Sequence, residues 1–414
     1  MTRWHWSLAL LGLCATNGWA ATRTVEADGS GEFATIQAAI DASADGDVIE
    51  LGPGTYRGAG NRDVTFLDLS LTIRSRSGAS GCVIDCEGTA ETPHRGFLID
   101  GPTGKSSTIE GVTVQGGHLS GTSTHGGAIL VDGTGNTLTL LDCVLEGNQT
   151  AAWGGAIAVV DRASMTAARC EFTQNEGARG GAIAVSNNAT AEVSDSSIRS
   201  NTALRGGGAF ASTTANLDLR ACLFEANVAN GTGVTDRSGG AVHCSSSTLG
   251  IERCTLVSNR AEGSSGGAVY AQLSTFDIHG STFWANAADA GAGLACALGG
   301  TGSVENTIFA GGTEGGAVDR GPASVVFACT DIHGNVGGDW VGGIEEQFGV
   351  DGNISLDPIF CDPDTGNFSL DEGSPCAAGS GPNPTCDRIG VHDERCRVNP
   401  VLELGWGQVK SLYR

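Results

Sequence analysis

Residues 175–185 read NEGARGGAIAV, and the reading of that stretch decides the fold. A glycine pair ahead of a small apolar run is either a phosphate-cradling loop or a corner of repeated scaffold. The loop reading fails, because no Lys-Ser/Thr follows the glycines and no long helix is opened by them. Counting supports the scaffold. The motif recurs as Gly126-Gly127-Ala128, Gly154-Gly155-Ala156, Gly180-Gly181-Ala182, Gly207-Gly208-Ala209, Gly239-Gly240-Ala241, Gly266-Gly267-Ala268, a degenerate Gly291-Ala292-Gly293, and Gly315-Gly316-Ala317. Successive copies lie 28, 26, 27, 32, 27, 25 and 24 residues apart, a period that marks a solenoid.

A second segment accompanies the glycines: LTLLDCVLEGN, MTAARCEFTQN, AEVSDSSIRSN, LDLRACLFEAN, LGIERCTLVSN and FDIHGSTFWAN. Its first column holds Leu138, Met165, Ala191, Leu217, Leu249 and Phe276, and two residues on stand Leu140, Ala167, Val193, Leu219, Ile251 and Ile278. Alternation with period two is the signature of half-buried strands. A third apolar column runs through Leu145, Phe172, Ile198, Phe224, Leu256 and Phe283, and a fourth follows the glycines at Ile129, Ile157, Ile183, Phe210, Val242 and Val269. One repeat cannot bury these residues by itself. Parallel stacking, one coil per repeat at about 4.8 Å, buries like upon like. The columns therefore predict an all-β, single-stranded parallel β-helix of about ten coils. Asn148, Asn175, Asn201, Asn227, Asn259 and Asn286 are expected to form a ladder at a turn, where Asn tolerates left-handed geometry and bonds its neighbours above and below.

Composition agrees. Glycine supplies 65 of 414 residues, while 17% are charged and 40% hydrophobic, which is neither a disordered chain nor a membrane bundle. The net charge is −23, so nucleic acid is excluded as a partner for want of a basic stripe. Arg3, the apolar run LALLGLC and Gly18-Trp19-Ala20 predict an export signal over residues 1–20. No later stretch reaches the ~18 apolar residues of a membrane helix. The mature chain is therefore expected to be secreted or at the cell surface. Residues 21–396 read as the β-helix, with caps at about 30–60 and 355–396. In the first cap, Thr35 is placed to N-cap a short helix carrying Ile36, Ala39 and Ile40 on one face. Residues 397–414 break the pattern, as a sorting or attachment segment or a frayed end.

The start of the chain resembles the first coil of pectate-lyase-like right-handed parallel β-helix proteins. The pairing of F-x-x-N with G-G-A-I/V, as in Phe172 to Asn175 with Gly180 to Ile183, resembles the repeat of polymorphic outer-membrane proteins. The chain departs from that second family in showing no C-terminal stretch long enough for a membrane β-barrel. Enzymes of the first family cleave acidic polysaccharides, by elimination with an Arg or Lys base near calcium-holding carboxylates or by hydrolysis with paired acids. Neither constellation is legible. Gly116-Gly117-His118 approaches the Gly-His-Gly of related polygalacturonases, but Leu119 stands where the second glycine belongs. No catalytic residue and no cofactor is assigned.

Two functions remain: an adhesion or glycan-binding scaffold whose partner is a polysaccharide or cell-surface ligand, and a polysaccharide lyase or glycoside hydrolase. The first is favoured because so regular a repeat shows no coil with clustered acids and bases; its candidate surface is a stripe just before the glycines, where stacking is expected to bring His125, Trp153, Arg179, Arg205 and Arg237 to one corner. Trp153, Arg179, Arg205 and Arg237 are the candidate binding residues, the arginines for anions and the tryptophan for a sugar face. A solvated corner neutralised by Glu176 and Asp236 is the simpler alternative. Asp357, Asp362, Asp364 and Asn367 could ligate calcium, though DPDTG reads equally as a turn. His243, His279 and His333 stand singly on separate coils. Cys143, Cys170, Cys222 and Cys254 share a column with Ser196 and Ser281, and Cys244 and Cys296 share another with valines, so small buried filler is expected, with bridging between neighbouring coils as the alternative. Cys361, Cys376, Cys386 and Cys396 are expected to form disulfides in the last cap.

Overall fold

The computed structural model describes residues 20–101, 104–231 and 238–391. The predicted export signal, Arg237, Cys396 and the tail lie outside them, apart from Ala20. The chain winds as a right-handed parallel β-solenoid whose strands collect into a 20-stranded, an 11-stranded and a 7-stranded sheet. The 11-stranded sheet takes one strand from each coil, one coil more than the repeat count suggests.

One coil shows the construction. Ile157–Val160 ends in a left-handed bend at Asp161 and Arg162 (φ 54° and 65°), and Ser164–Ala168 ends at Arg169 (φ 53°). Glu171–Thr173 then ends at Gln174 (φ 55°), and Glu176–Arg179 at Gly180 (φ 70°). One or two left-handed residues thus turn the chain between short strands. At Gly180 an added Cβ would fall 2.1 Å from the Ile183 carbonyl oxygen, and at Gly181 2.1 Å from that of Gly207 in the next coil. The first glycine permits the bend, and the second lets two coils approach backbone to backbone.

The asparagine ladder forms, with one correction. The left-handed residue is the one before each asparagine: Gln174, Ser200, Ala226, Ser258 and Ala285. The asparagine points inward instead and uses its amide along the stack. Asn175 Nδ2 donates to Asn201 Oδ1 at 3.0 Å and to the Leu145 carbonyl at 2.9 Å, while its own Oδ1 accepts from the Asn148 backbone amide at 3.0 Å. The pattern continues from Asn201 to Asn227, Asn259 and Asn286. All are buried, so each ladder rung satisfies turn amides that water cannot reach.

Strand register corrects a second expectation. Ile183 pairs with Ala209 and Ala184 with Phe210, so Gly206-Gly207-Gly208 stands opposite Gly180-Gly181-Ala182. Three consecutive glycines made the motif ambiguous by one residue, and a one-residue slip moves a side chain to the other face. Phe210 therefore leaves the core column and faces outward.

Cys143, Cys170, Cys222, Cys244, Cys254 and Cys296 are buried free thiols. Cys170 Sγ approaches the Ala168 carbonyl at 3.4 Å, Ser196 Oγ donates to Ser194 at 2.6 Å, and Thr307 Oγ1 to Glu305 at 2.9 Å. This column needs a small donor that turns back onto the carbonyl two residues earlier, which is why Cys, Ser and Thr interchange there. The C-terminal pairing differs from expectation. Cys386 is bonded to Cys329, which belongs to a coil, whereas Cys376 is a free buried thiol. Cys361 is disulfide-bonded.

At the start, Ile36–Asp41 is a helix whose cap residue Thr35 accepts from Ala38 N, with Ile36, Ala39 and Ile40 buried. At the far end, Trp340 and Ile344 close the core, and Gln347 bonds both Phe327 N (2.8 Å) and Val325 O (3.0 Å) on the last coil. Residues 357–391 then fold back along the outside of the 11-stranded sheet. There Leu370, Cys376 and Ile389 pack on Ile308 and Ala310. Among the described residues no helix is long and apolar enough to cross a membrane.

Replacing Asn201 with Ala strands buried donors and acceptors on the two neighbouring coils and is expected to cost about 3 kcal/mol, whereas Cys170→Ser is expected to cost under about 1 kcal/mol because Ser196 already performs the same bond. Urea unfolding midpoints of the two variants check both values.

Candidate binding groove at the glycine corner

Strand register brings three of the four predicted stripe residues together. Trp153 pairs with Arg179, and Arg179 with Arg205. They form one wall of a groove parallel to the solenoid axis. The fourth, Arg237, lies outside the described residues.

The floor is the outward column of the strands that follow the glycines: Leu130, Ala158, Ala184, Phe210, His243, Tyr270 and Ala295. Small floor residues in two coils face large wall residues, Ala158 with Trp153 and Ala184 with Arg179. The result is a continuous stack. His125 lies 4.8 Å from Trp153, Phe210 lies 5.0 Å from His243, and His243 lies 5.0 Å from Tyr270. Where the floor changes from Ala184 to Phe210, the Arg179 guanidinium bridges the rings, 5.1 Å from Trp153 and 5.8 Å from Phe210. A planar cation held between two rings is oriented before any ligand arrives. The opposite wall is a hydroxyl and amide row of Ser186, Ser212, Ser245 and Gln272 in register, with the first two hydroxyls 3.2 Å apart.

Two adjoining cavities of 380 and 320 Å³ share Trp153, Arg179 and Arg205. One extends towards His125 and Leu204, the other over Phe210 and His243 to Gln272. Chemically this is a partly apolar trough with ring faces for stacking, guanidinium groups for anions and hydroxyls for neutral hydrogen bonding.

Sequence reasoning missed four contributors. Phe210 and Tyr270 were hidden because their outward placement depends on register. His243, read as solitary, is buried between them. A fourth, Arg95, continues the wall one coil earlier, where the glycine motif is absent: its guanidinium donates to the His125 carbonyl at 2.9 Å. The only signal was the Arg-Gly step of HRGF. Burial, then the Arg95 charge, push the His125 imidazole below its ordinary 6.5, so the ring is neutral near neutrality.

Elsewhere the candidates do not assemble. His118 exchanges backbone bonds with His94 at 2.8 and 3.0 Å, and Gly117 faces the Gly127 carbonyl, so Gly116-Gly117-His118 is scaffold. Asp357 and Asn367 each spend a side-chain oxygen on a nearby backbone amide. Among the described residues no three His, Cys, Asp or Glu side chains are placed to hold a metal ion. His279 faces Glu305, and His333 lies on another sheet. Asp132 is raised above the usual carboxylate range, first by burial and then by the charge of Asp161.

A family model described as a right-handed β-helix region matches residues 95–309, just over half the chain. The protein belongs to the right-handed β-helix family. Among solved structures the pectate lyase Pel9A is similar, with a TM-score of 0.53 and 14% identity over 91% of this chain and 98% of that one. At that identity the likeness is one of fold. No curated protein matches.

Imidazole NMR of His125 is expected to give a titration midpoint below 6.5, and Arg95→Met is expected to raise it by removing a neighbouring positive charge.

Proposed function

We propose that this protein is an extracytoplasmic β-helix scaffold that binds acidic polysaccharide in the corner groove. The observation that carries the reading is the Arg179 guanidinium held between Trp153 and Phe210, with Arg205 in register beside it. Sugar rings stack on aromatic faces and their carboxylates pair with guanidinium groups, so one groove serves both parts of an acidic sugar. The solenoid repeats the groove coil after coil, which suits a polymer better than a compact ligand. The predicted export signal and the fold shared with a pectate lyase support an extracellular glycan as partner.

A second reading, cleavage of the same class of polymer, is favoured by the Asp132 carboxyl, which burial and then the charge of Asp161 raise above its ordinary value, while Asp161 also acts on the His125 imidazole of the groove. In that reading Asp132, whose proton affinity is raised, is the acid partner.

The decisive experiment incubates the mature chain with acidic polysaccharides, with and without calcium. It follows retention on the protein, unsaturated uronate absorbance and new reducing ends. Retention without product is expected. Arg179→Glu with Arg205→Glu is expected to weaken that retention at least tenfold at low salt, and the wild-type affinity is expected to fall as salt rises. Unchanged retention in the double variant overturns the groove as the site, and product formation moves the assignment to the enzyme.

A further inference from the structure

Asp331 lies at the far end of the outer face of the 11-stranded sheet, paired with Ile308 and, through it, with Thr282. It is 0% exposed, covered by the strap of residues 357–391. The strap advances along this face coil by coil. Cys376 lies on Asp331, Gly390 N donates to Asn306 O at 2.7 Å, and Val391 N donates to Thr282 Oγ1 at 3.2 Å. Phe360 and Phe368 pack on Trp284, 5.5 and 6.1 Å between ring centres.

The carboxyl is in contact with the segment that covers it. Oδ1 accepts from Leu356 N at 3.0 Å, at the bend where the strap begins, and Oδ2 lies 3.2 Å from Cys376 Sγ. The other charged groups that bear on it are Asp357 on the strap and Asp339 in the loop that closes the last coil, both acids. Two residues away, Cys329 is bonded to Cys386 of the strap.

We propose that Asp331 is a proton-operated latch: carrying its proton it holds the strap against the last coils, and on losing that proton it releases residues 357–391, which the Cys329–Cys386 disulfide keeps tethered. Burial chiefly, with the charges of Asp339 and Asp357 in support, pushes the carboxyl from 3.8 up to about 7, against the opposing bonds from Leu356 and Cys376. The docked strap therefore prefers the protonated acid, and the released strap leaves an ordinary carboxyl. Docking is at full strength below 3.8, weakens as pH rises from there to about 7, and is constant above. Across that window the docking equilibrium changes on the order of a thousandfold. Release uncovers Ile308, Ala310 and Trp284 beside a cavity of 630 Å³ that Leu223, Val257 and Phe368 already line, so the latch controls an apolar surface distinct from the corner groove.

Cys376 reports the motion, because its thiol is fully buried between the docked strap and the sheet. The mature chain with disulfides intact is pulsed with N-ethylmaleimide between pH 5 and 8.5, and labelled peptides are mapped by mass. Each rate is divided by that of the same peptide in urea at the same pH, which removes thiolate chemistry. The normalised Cys376 rate is expected to rise about a hundredfold and level off above pH 7, while the interior thiol of Cys254 stays unlabelled. Asp331→Asn is expected to keep Cys376 slow throughout. The proposal is overturned if Cys376 remains as slow as Cys254 at pH 8.5, or if Asp331→Asn shows the same rise. If that variant does not fold, the wild-type profile decides: a plateau above pH 7 supports the latch, and a rise that continues unbroken to pH 8.5 overturns it.

Discussion

Everything in this molecule depends on how closely one coil can lie on the next. Parallel strands must stack at about 4.8 Å with every peptide group bonded, and the corners are where that is hardest to achieve. Gly181 is the clearest case, since a single methyl there would fall 2.1 Å from the Gly207 oxygen. The asparagine ladder solves the same problem one corner earlier, by supplying side-chain amides to turn groups that face the interior. These requirements recur in each coil, and that is why the sequence repeats.

The repetition explains what could be read in advance. Columns of like residues, the ladder, the capping helix at Thr35 and the small-donor column of Cys170 and Ser196 are each written several times or bear a local signature. Phe210 shows where such reading stops. The run Gly206-Gly207-Gly208 satisfies the motif in two registers, and only the ladder with Ile183 and Ala184 chooses between them. That choice carried an aromatic ring from the interior to the groove and turned a row of cations into a lined trough. Arg95 was illegible for the opposite reason: its coil lacks the glycine pair that marked the others. Cys329 was illegible because its partner depends on a strap folding back on the outside, which no periodicity announces.

The groove is a by-product of the same stacking. A residue just before a positive-φ glycine is carried outward at a corner, and stacking sets its copies side by side. A scaffold residue there is free to vary, so Trp153, Arg179 and Arg205 can differ in chemistry while sharing geometry. His125 is neutral and the opposite wall offers hydroxyls, so the anion-attracting groups of the groove are the guanidinium groups, with Arg179 fixed between two rings.

The strap obeys a different physics from the coils. Inside the solenoid, the ladder asparagines are satisfied by their own copies above and below, and an amide does not titrate. At the last coil there is no copy beyond, and Asp331 takes its partners from a non-repeating segment. A backbone amide and a thiol are weak compensation for a buried carboxylate. The end of a repeat array is thus the natural place for a titratable contact, because it is the one place where the ladder cannot supply the missing half of the bond.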